Sequence, residues 1–283
     1  MRRVARRASA RASSRASRST DRRFGGARAH RAASRALGMR AHWADGEIRR
    51  FRRLDDARGS DIGRASCVFV GSSIFREWRE LRDFEGDWTR RAGGAARAAW
   101  VNRAFGGAET SDLLTFEEDV LGVERGRDVR VIVYYCGSND LSVGGSPRTV
   151  RDNFAAFAER ARRRARRRVG VVFVGVIDSP QKRMYGLSGA VRETNELCAA
   201  WCEKTPDSAF VDVTSVFEDV ASGATRPLFR EDGTHLKTEA YEGLMDVIAP
   251  KVVELFHAVS REDSRASASV DADESFLPPS MRR

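Results

Sequence analysis

Short apolar runs alternate with helix-type patterns along most of this chain. Five runs are apolar at nearly every position, a pattern typical of parallel strands that are covered on both faces. The segments between them carry apolar residues at helical spacing, as at Val150, Phe154 and Phe157, with Pro147 at the start of that helix. The predicted strands are Ser66–Gly71, Ala98–Asn102, Val129–Cys136, Val169–Ile177 and Ala209–Val213, and the predicted helices lie near 75–85, 110–121, 148–168, 188–204 and 237–258.

This alternation predicts an α/β fold, a three-layer α/β/α sandwich around a five-stranded parallel sheet. In folds of this class, sites lie at the carboxyl ends of the strands. A single domain over residues 45–260 is the simplest division of the chain. Residues 261–283 are polar and rich in Ser and Asp, and we predict that they form a disordered tail.

The charge of the chain is concentrated at its amino end. The formal net charge is +10, but residues 1–40 hold thirteen arginines and one acid, Asp21, which gives +12 for this leader and −2 for the remainder. An Arg- and Ser-rich, acid-poor segment without an apolar core predicts a transit peptide for a plastid or mitochondrion. A disordered basic arm, or a true start at Met39 with a cytoplasmic protein, is the alternative. No apolar run approaches the ~18 residues of a membrane span, so no transmembrane segment is predicted.

A second basic run, Arg160–Arg168, closes a predicted helix. Cations are favourable at the negative end of the helix dipole, and the run lacks the aromatic and Gly interleaving of RNA-binding segments. We therefore predict a solvated helix end and no nucleic-acid partner, with contact to an anionic surface as the alternative.

The four cysteines do not predict a disulfide framework or a metal site. Cys67 and Cys136 lie in predicted strands, where a free thiol packs as a small apolar side chain. Cys198 and Cys202 share one helix face, but no further Cys or His follows at zinc-site spacing.

Glycines and polar residues follow three of the predicted strands. Ser72 and Ser73 come after the first strand, Gly107 after the second and Asn139 after the third. A serine beside helix amides suits a nucleophile and its oxyanion, although helix capping and turn formation explain each segment equally well on its own. If the three strands are neighbours, these groups converge on one point.

The sequence Asp232-Gly233-Thr234-His235 supplies a candidate for acid–base chemistry. His235 follows a carboxylate on a Gly-marked turn, and imidazole is the side chain that titrates near neutral pH. The other three histidines, His30, His42 and His257, lie in or just after the leader and on the last predicted helix.

Taken in order, these segments resemble the four signature blocks of the SGNH hydrolase superfamily, the GDSL-like lipases and acylhydrolases. Gly71–Ser73 stands at the Gly-Asp-Ser block with Ser72 in place of the acid, and Gly107 stands at the glycine block. Gly137–Asp140 matches the Gly-x-Asn-Asp block, and Asp232–His235 matches the Asp-x-x-His block.

The residues next to these blocks are similar to those of one branch of the superfamily, the branch resembling platelet-activating-factor acetylhydrolases. They are Trp78 after the serine block, the run Asn102–Gly107, and Leu141–Pro147 after the Asn-Asp pair. The resemblance covers about residues 66–258 and implies a flavodoxin-like SGNH hydrolase fold.

The resemblance implies a serine esterase that cleaves a small-molecule ester through an acyl-enzyme, without a cofactor or metal. Ser73 would be the nucleophile, His235 the general base, and Asp232 the carboxylate that orients the imidazole. The oxyanion hole would comprise the backbone N–H groups of Ser73 and Gly107 and the side chain of Asn139. An O-acyltransferase on the same site and a non-catalytic binding module of the same fold are the alternatives.

Overall fold

A computed structural model describes residues 43–57, 64–93, 98–219 and 221–275, with side chains described as far as residue 261. Residues 44–283 form one compact unit, and residues 1–43 form a separate unit of which only Trp43 is described. The predicted transit peptide, residues 1–40, therefore lies outside the described residues. None of the helices in the described part of the chain is long and apolar enough to cross a membrane.

Five parallel strands form a single sheet in the order β2-β1-β3-β4-β5. Each strand is nearly continuous in apolar residues, so each can be buried on both faces, as the sequence predicted. β1 and β3, which precede the serine and Asn-Asp segments, are neighbours at the centre of the sheet. The strands are β1 (Ala65–Gly71), β2 (Ala99–Asn102), β3 (Asp128–Tyr135), β4 (Gly170–Val174) and β5 (Ser208–Val211).

Helices cover both faces of the sheet, which confirms the predicted three-layer α/β fold. Successive strand residues point to opposite faces, so Phe69 and Val133 pack into one core and Val70 and Tyr134 into the other. The first core is completed by α2 (Ser73–Leu81), α3 (Phe84–Arg91), α10 (Thr214–Phe217) and α11 (Ala240–Ser275). The second is completed by α1 (residues 43–56), α4 (Thr110–Thr115), α5 (Glu117–Leu121), α6 (Ser138–Ser142), α7 (Pro147–Arg164) and α9 (Ser188–Lys204), and α8 (Pro180–Met184) lies between β4 and α9 in the chain.

The predicted strand Val169–Ile177 is too long, because pairing in the sheet stops at Val174. Beyond it, the backbone N–H and C=O of Val176 are bonded by the side-chain amide of Asn195 on α9, at 2.8 and 2.9 Å. The apolar pattern continues past Val174 because Val176 and Ile177 are still buried. Burial and strand pairing therefore end at different residues.

The helix after the first strand also differs from the prediction of one segment near 75–85. It begins at Ser73 and ends at Leu81, and a second helix, α3, starts after Asp83. The Asp83 side chain accepts a hydrogen bond from the Gly86 N–H and caps α3, a signal that the sequence carries.

The basic run at the end of α7 is engaged by partners within the chain. Arg164 pairs with Glu117 at 3.1 Å and Arg168 pairs with Asp207 at 2.5 Å. Arg162 donates to the carbonyl oxygens of Pro206 and Asp207, both at 3.0 Å, and burial lowers its pKa. These contacts tie the run to other elements, while Arg163, Arg164 and Arg168 stay exposed, so the helix end is solvated as well as paired.

The last helix is longer than predicted. α11 runs from Ala240 to Ser275 and so enters the segment predicted to be a disordered tail, while residues 276–283 lie outside the described residues. The domain bounds 45–260 stay a prediction. The four cysteines are free and buried, and burial raises the pKa of the Cys67 and Cys136 thiols.

Candidate active site

The central strands β1 and β3 end side by side and place the serine segment at the carboxyl edge of the sheet. The Ser72 N–H donates to the Tyr135 carbonyl oxygen at 3.1 Å, so the chain leaves β1 directly beside the end of β3. Gly71 has φ +151°, and a Cβ there would collide with the same Tyr135 carbonyl oxygen. Only glycine allows this close approach.

Ser73 is the serine that the fold presents at this edge. It is the first residue of α2 and is half-buried, whereas Ser72 is buried and its side chain caps nothing. The Ser73 Oγ lies 3.1 Å from the Nε2 of His235, which is 162 positions further along the chain. The structure thus brings together the two residues that the sequence predicted as nucleophile and base.

The Asp232–His235 segment folds into a tight turn around one carboxylate. Asp232 Oδ1 accepts the backbone N–H groups of Thr234 and His235 at 2.8 and 2.9 Å, and Oδ2 lies 2.6 Å from His235 Nδ1. A carboxylate only accepts, so Nδ1 carries the ring proton and Nε2 accepts from Ser73. Partial burial raises the pKa of Asp232, but these hydrogen bonds outweigh it and lower the pKa to about 2.

Gly107 lies in the loop that leaves β2 beside the serine. The Phe105 N–H donates to the Gly71 carbonyl oxygen at 3.1 Å, which holds this loop against the end of β1. Gly107 itself is exposed and has φ +67°, the left-handed region that favours glycine. Its backbone is therefore presented at the same edge of the sheet as Ser73.

Asn139 completes this group from the end of β3. It lies in the short helix α6, and its Nδ2 donates to the Ala108 carbonyl oxygen at 2.9 Å. A primary amide carries two N–H donors, and one of them holds the residue beside the Gly107 loop. Asn139 also lines the same small niche as Ser73.

Asp140 braces the two loops that carry Gly107 and Asn139. Its carboxylate accepts the backbone N–H of Thr110 at 3.1 Å and the Thr110 Oγ1 at 2.5 Å. Asn153 on α7 donates to the same Thr110 hydroxyl at 2.9 Å. Burial raises the pKa of Asp140, while its hydrogen bonds to Thr110 oppose the rise.

The niche beside Ser73 is small and has only about 10 Å³ of internal volume, roughly the space of one water-sized sphere. Its walls come from the segments that follow β1, β3 and β4 and from the Asp232–His235 turn. Ser179 and Thr234 belong to this lining and were not singled out by sequence, although Ser179 follows a strand just as Ser73 does. The lining residues are Ser72, Ser73, Ile74, Tyr135, Ser138, Asn139, Ile177, Ser179 and Thr234.

Sequence reasoning also missed the charged residues around the imidazole. Glu77 on α2 is buried, and its Oε1 lies 3.8 Å from His235 Nε2. Its spacing of one helical turn from Ser73 was the available signal, since residues i and i+4 share a helix face. Within the residues that the structure describes, no group of three His, Cys, Asp or Glu side chains could hold a metal ion.

A family model described as the GDSL-like Lipase/Acylhydrolase family matches residues 69–242. The chain belongs to this family. Its members hydrolyse ester bonds, so the protein is an ester-bond hydrolase that acts on small-molecule esters. The matched range runs from β1 to the start of α11 and includes all four signature segments.

Solved structures with low sequence identity to this chain share its fold. A GDSL-like lipase from Bacteroides thetaiotaomicron is 18% identical to this chain. The match covers 73% of this chain and 97% of the lipase, with a TM-score of 0.54. A protein named as a platelet activating factor from Streptococcus pneumonia is 17% identical, with 77% and 99% coverage and a TM-score of 0.60. A carbohydrate esterase family 3 protein from Talaromyces cellulolyticus is 15% identical, with 69% and 98% coverage and a TM-score of 0.50. A search of curated proteins found no match.

Proposed function

We propose that this GDSL-family hydrolase cleaves short-chain carboxylic esters through Ser73, His235 and Asp232 and an acyl-enzyme intermediate. The observation that carries the proposal is the continuous hydrogen-bonded chain from Ser73 Oγ to His235 Nε2, at 3.1 Å, and from His235 Nδ1 to Asp232 Oδ2, at 2.6 Å. This is the arrangement of an activated serine nucleophile, its base and an orienting carboxylate.

In the first half-reaction, His235 Nε2 takes the Ser73 hydroxyl proton as Oγ attacks the ester carbonyl carbon. The carbonyl oxygen becomes an oxyanion that the N–H groups of Ser73 and Gly107 and the second N–H of Asn139 receive. The tetrahedral intermediate then collapses, and the departing alkoxide takes the proton from His235. Asp232 holds the ring in the correct tautomer and stabilises the imidazolium.

In the second half-reaction, a water replaces the departed alcohol. His235 removes one water proton while the oxygen attacks the acyl carbon, and the same donors receive the second oxyanion. Collapse breaks the bond to Ser73 Oγ, which recovers its proton from His235, and releases the carboxylic acid. Each proton removed is returned within the cycle, so the enzyme is regenerated without a co-reactant.

The size of the niche supports a short acyl group. The enclosed space of about 10 Å³ beside Ser73 is too small for a long acyl chain. The resemblance of the signature segments to the branch similar to platelet-activating-factor acetylhydrolases agrees with this size. The protein named as a platelet activating factor also shares the fold.

The proposal is tested with a series of p-nitrophenyl esters from acetate to palmitate. We expect kcat/KM to be highest for acetate and butyrate and to fall steeply for longer chains. Ser73→Ala and His235→Ala should each lower kcat by at least about 10⁴-fold, whereas Ser72→Ala, the matched control, should retain it. Retained hydrolysis in Ser73→Ala would exclude Ser73 as the nucleophile.

The same assay separates the alternative activities. With an alcohol acceptor at low concentration, the acyl-enzyme of a hydrolase should pass most of its acyl group to water, whereas the transesterified product as the main product would favour an acyltransferase. Absence of turnover with every ester, in a protein folded by circular dichroism, would favour a non-catalytic binding module.

A further inference from the structure

A buried carboxylate links the helix that begins with Ser73 to the turn that holds His235. Glu77 lies one turn after Ser73 on α2, and its side chain is only 9% exposed. Its two oxygens contact different guanidinium groups: Oε1 lies 3.2 Å from Arg76 Nη2, and Oε2 lies 3.1 Å from Arg230 Nη2. Burial of a carboxylate is costly unless cations pair with it, and these two guanidinium groups supply that pairing.

Arg230 forms hydrogen bonds with the backbone of the Asp232–His235 turn and of the residue that follows it. Its backbone N–H donates to the His235 carbonyl oxygen at 2.8 Å, and its Nε donates to the Leu236 carbonyl oxygen at 3.0 Å. The Gly233 N–H in turn donates to the Arg230 carbonyl oxygen at 3.0 Å. These three hydrogen bonds hold Arg230 against the Asp232–His235 turn. A displacement of Arg230 would therefore displace the turn that carries the imidazole.

The Glu77–Arg230 contact joins two segments that are far apart in sequence but must meet to within hydrogen-bonding distance. The Ser73 Oγ to His235 Nε2 distance of 3.1 Å depends on where the turn sits relative to α2. Glu77 Oε1 also lies 3.8 Å from His235 Nε2, the nitrogen that becomes protonated in both proposed half-reactions. Tyr241, in the first turn of α11, donates its hydroxyl to the Ile74 carbonyl oxygen at 3.0 Å and so joins α2 to the helix that follows the turn.

We propose that Glu77 is a positioning residue for His235, acting through its ion pair with Arg230. The pair sets the distance between the serine helix and the Asp232–His235 turn, and the carboxylate keeps the Nε2 edge of the imidazole directed toward Ser73. This inference rests on the proposed roles of Ser73 and His235. It assigns to Glu77 no contact with the substrate.

The ion-pair character of the contact determines which substitutions are informative. Glu77 Oε2 accepts no aligned hydrogen bond among the described residues, so the attraction to Arg230 is mainly electrostatic. Glu77→Gln keeps the shape of the side chain and removes the charge. Glu80→Gln is the matched control. Glu80 pairs with the other terminal nitrogen of Arg76, Nη1, at 3.1 Å, and lies about one helical turn further from the site.

The test measures kcat, KM and the melting temperature of Glu77→Gln, Arg230→Gln, the double variant and Glu80→Gln. A shift of the imidazole by about 1 Å can cost 10²-fold, so we expect Glu77→Gln and Arg230→Gln each to lower kcat by about 10- to 100-fold with KM unchanged. The double variant should resemble either single variant, because both substitutions break the same link. Glu80→Gln should retain wild-type kcat.

A kcat for folded Glu77→Gln equal to that of Glu80→Gln would overturn the proposal, whatever the change in melting temperature. Multiplicative losses in the double variant would also overturn it, because they would show that the two residues act separately. If Glu77→Gln does not fold, Arg230→Gln decides the question, since Arg230 is 39% exposed and Glu77 keeps Arg76 as its ion-pair partner. Failure of the proposed function is distinct, because it appears as activity in Ser73→Ala.

Discussion

At the scale of single residues, the site depends on how each hydrogen-bonding group is already engaged. One oxygen of Asp232 accepts hydrogen bonds from the backbone of its own turn, and the other accepts from the His235 ring. The carboxylate therefore both shapes the turn and sets the tautomer of the imidazole. Asn139 donates one amide N–H to the Ala108 carbonyl oxygen. These hydrogen bonds hold the donors and acceptors of the site in place before a substrate binds.

The lowered pKa of Asp232, about 2 against an ordinary value of 3.8, predicts a specific pH dependence of stability. A carboxylate whose pKa falls on folding stabilises the folded state above its unfolded pKa, and this contribution is lost as pH falls toward the folded pKa. Asp232→Asn should therefore melt at a lower temperature than the wild type at pH 6, with the difference shrinking between pH 4 and about pH 2. Thermal unfolding followed by circular dichroism measures it, and a difference independent of pH would contradict this account of Asp232.

At the scale of elements, the sheet ends and the loops beyond it are built by different interactions. β4 stops at Val174, and the segment that follows is held by the side chain of Asn195, which replaces a strand as hydrogen-bonding partner of Val176. That segment carries Ile177 and Ser179, two walls of the niche beside Ser73. A side chain on α9 thus shapes the niche without touching it.

Replacement of Asn195 by Ala should leave the N–H and C=O groups of Val176 without their partner. Unsatisfied buried polar groups cost about 1–3 kcal/mol, so the free energy of unfolding measured by urea denaturation should fall by about that amount. KM for p-nitrophenyl acetate should rise as the wall at Ile177 loosens. Glu196→Ala, on the adjacent position of α9, is the control and should change neither quantity.

At the scale of the whole molecule, the sheet separates two cores that serve different purposes. One core packs Trp78 of the serine helix against Phe69, at 6.2 Å between ring centroids, and against Tyr241, at 5.1 Å. The other packs Phe157 of α7 against Tyr134, at 5.3 Å, on the opposite face. Only the first core supports the helix that begins with Ser73.

Truncation of the two cores should therefore separate stability from activity. Trp78→Ala and Phe157→Ala each remove a fully buried ring and should each cost about 3–5 kcal/mol of unfolding free energy. Only Trp78→Ala should also lower the kcat of the folded fraction, by up to about 10²-fold, because it loosens α2 under Ser73. Equal kcat values for the two folded variants would show that the serine helix is held independently of this core.

Much of the fold and of the candidate site was readable before the structure, because the signals are local. Continuous apolar runs mark strands buried on both faces, and the groups at Ser73, Gly107 and Asn139 directly follow three of them. Strand ends were less readable: Val176 is buried beyond the last paired residue of β4, and burial is what an apolar pattern reports. Arg164 and Arg168 are exposed, as a solvated helix end requires, but the partners of Arg162, Arg164 and Arg168 lie on other elements and could not be read from the run itself.

The sequence by itself determined that this chain forms a parallel α/β sheet and which residues stand at its carboxyl edge. Strand formation and turn formation depend on residues that are adjacent in the chain, so the sequence shows both directly. The resemblance of the signature segments already assigned Ser73, rather than Ser72, as the partner of His235. Only the tertiary structure decided how close the two residues lie, and that Glu77 and Arg230 connect their segments. Those contacts join residues more than 150 positions apart, and no local pattern specifies the distance at which two such segments pack.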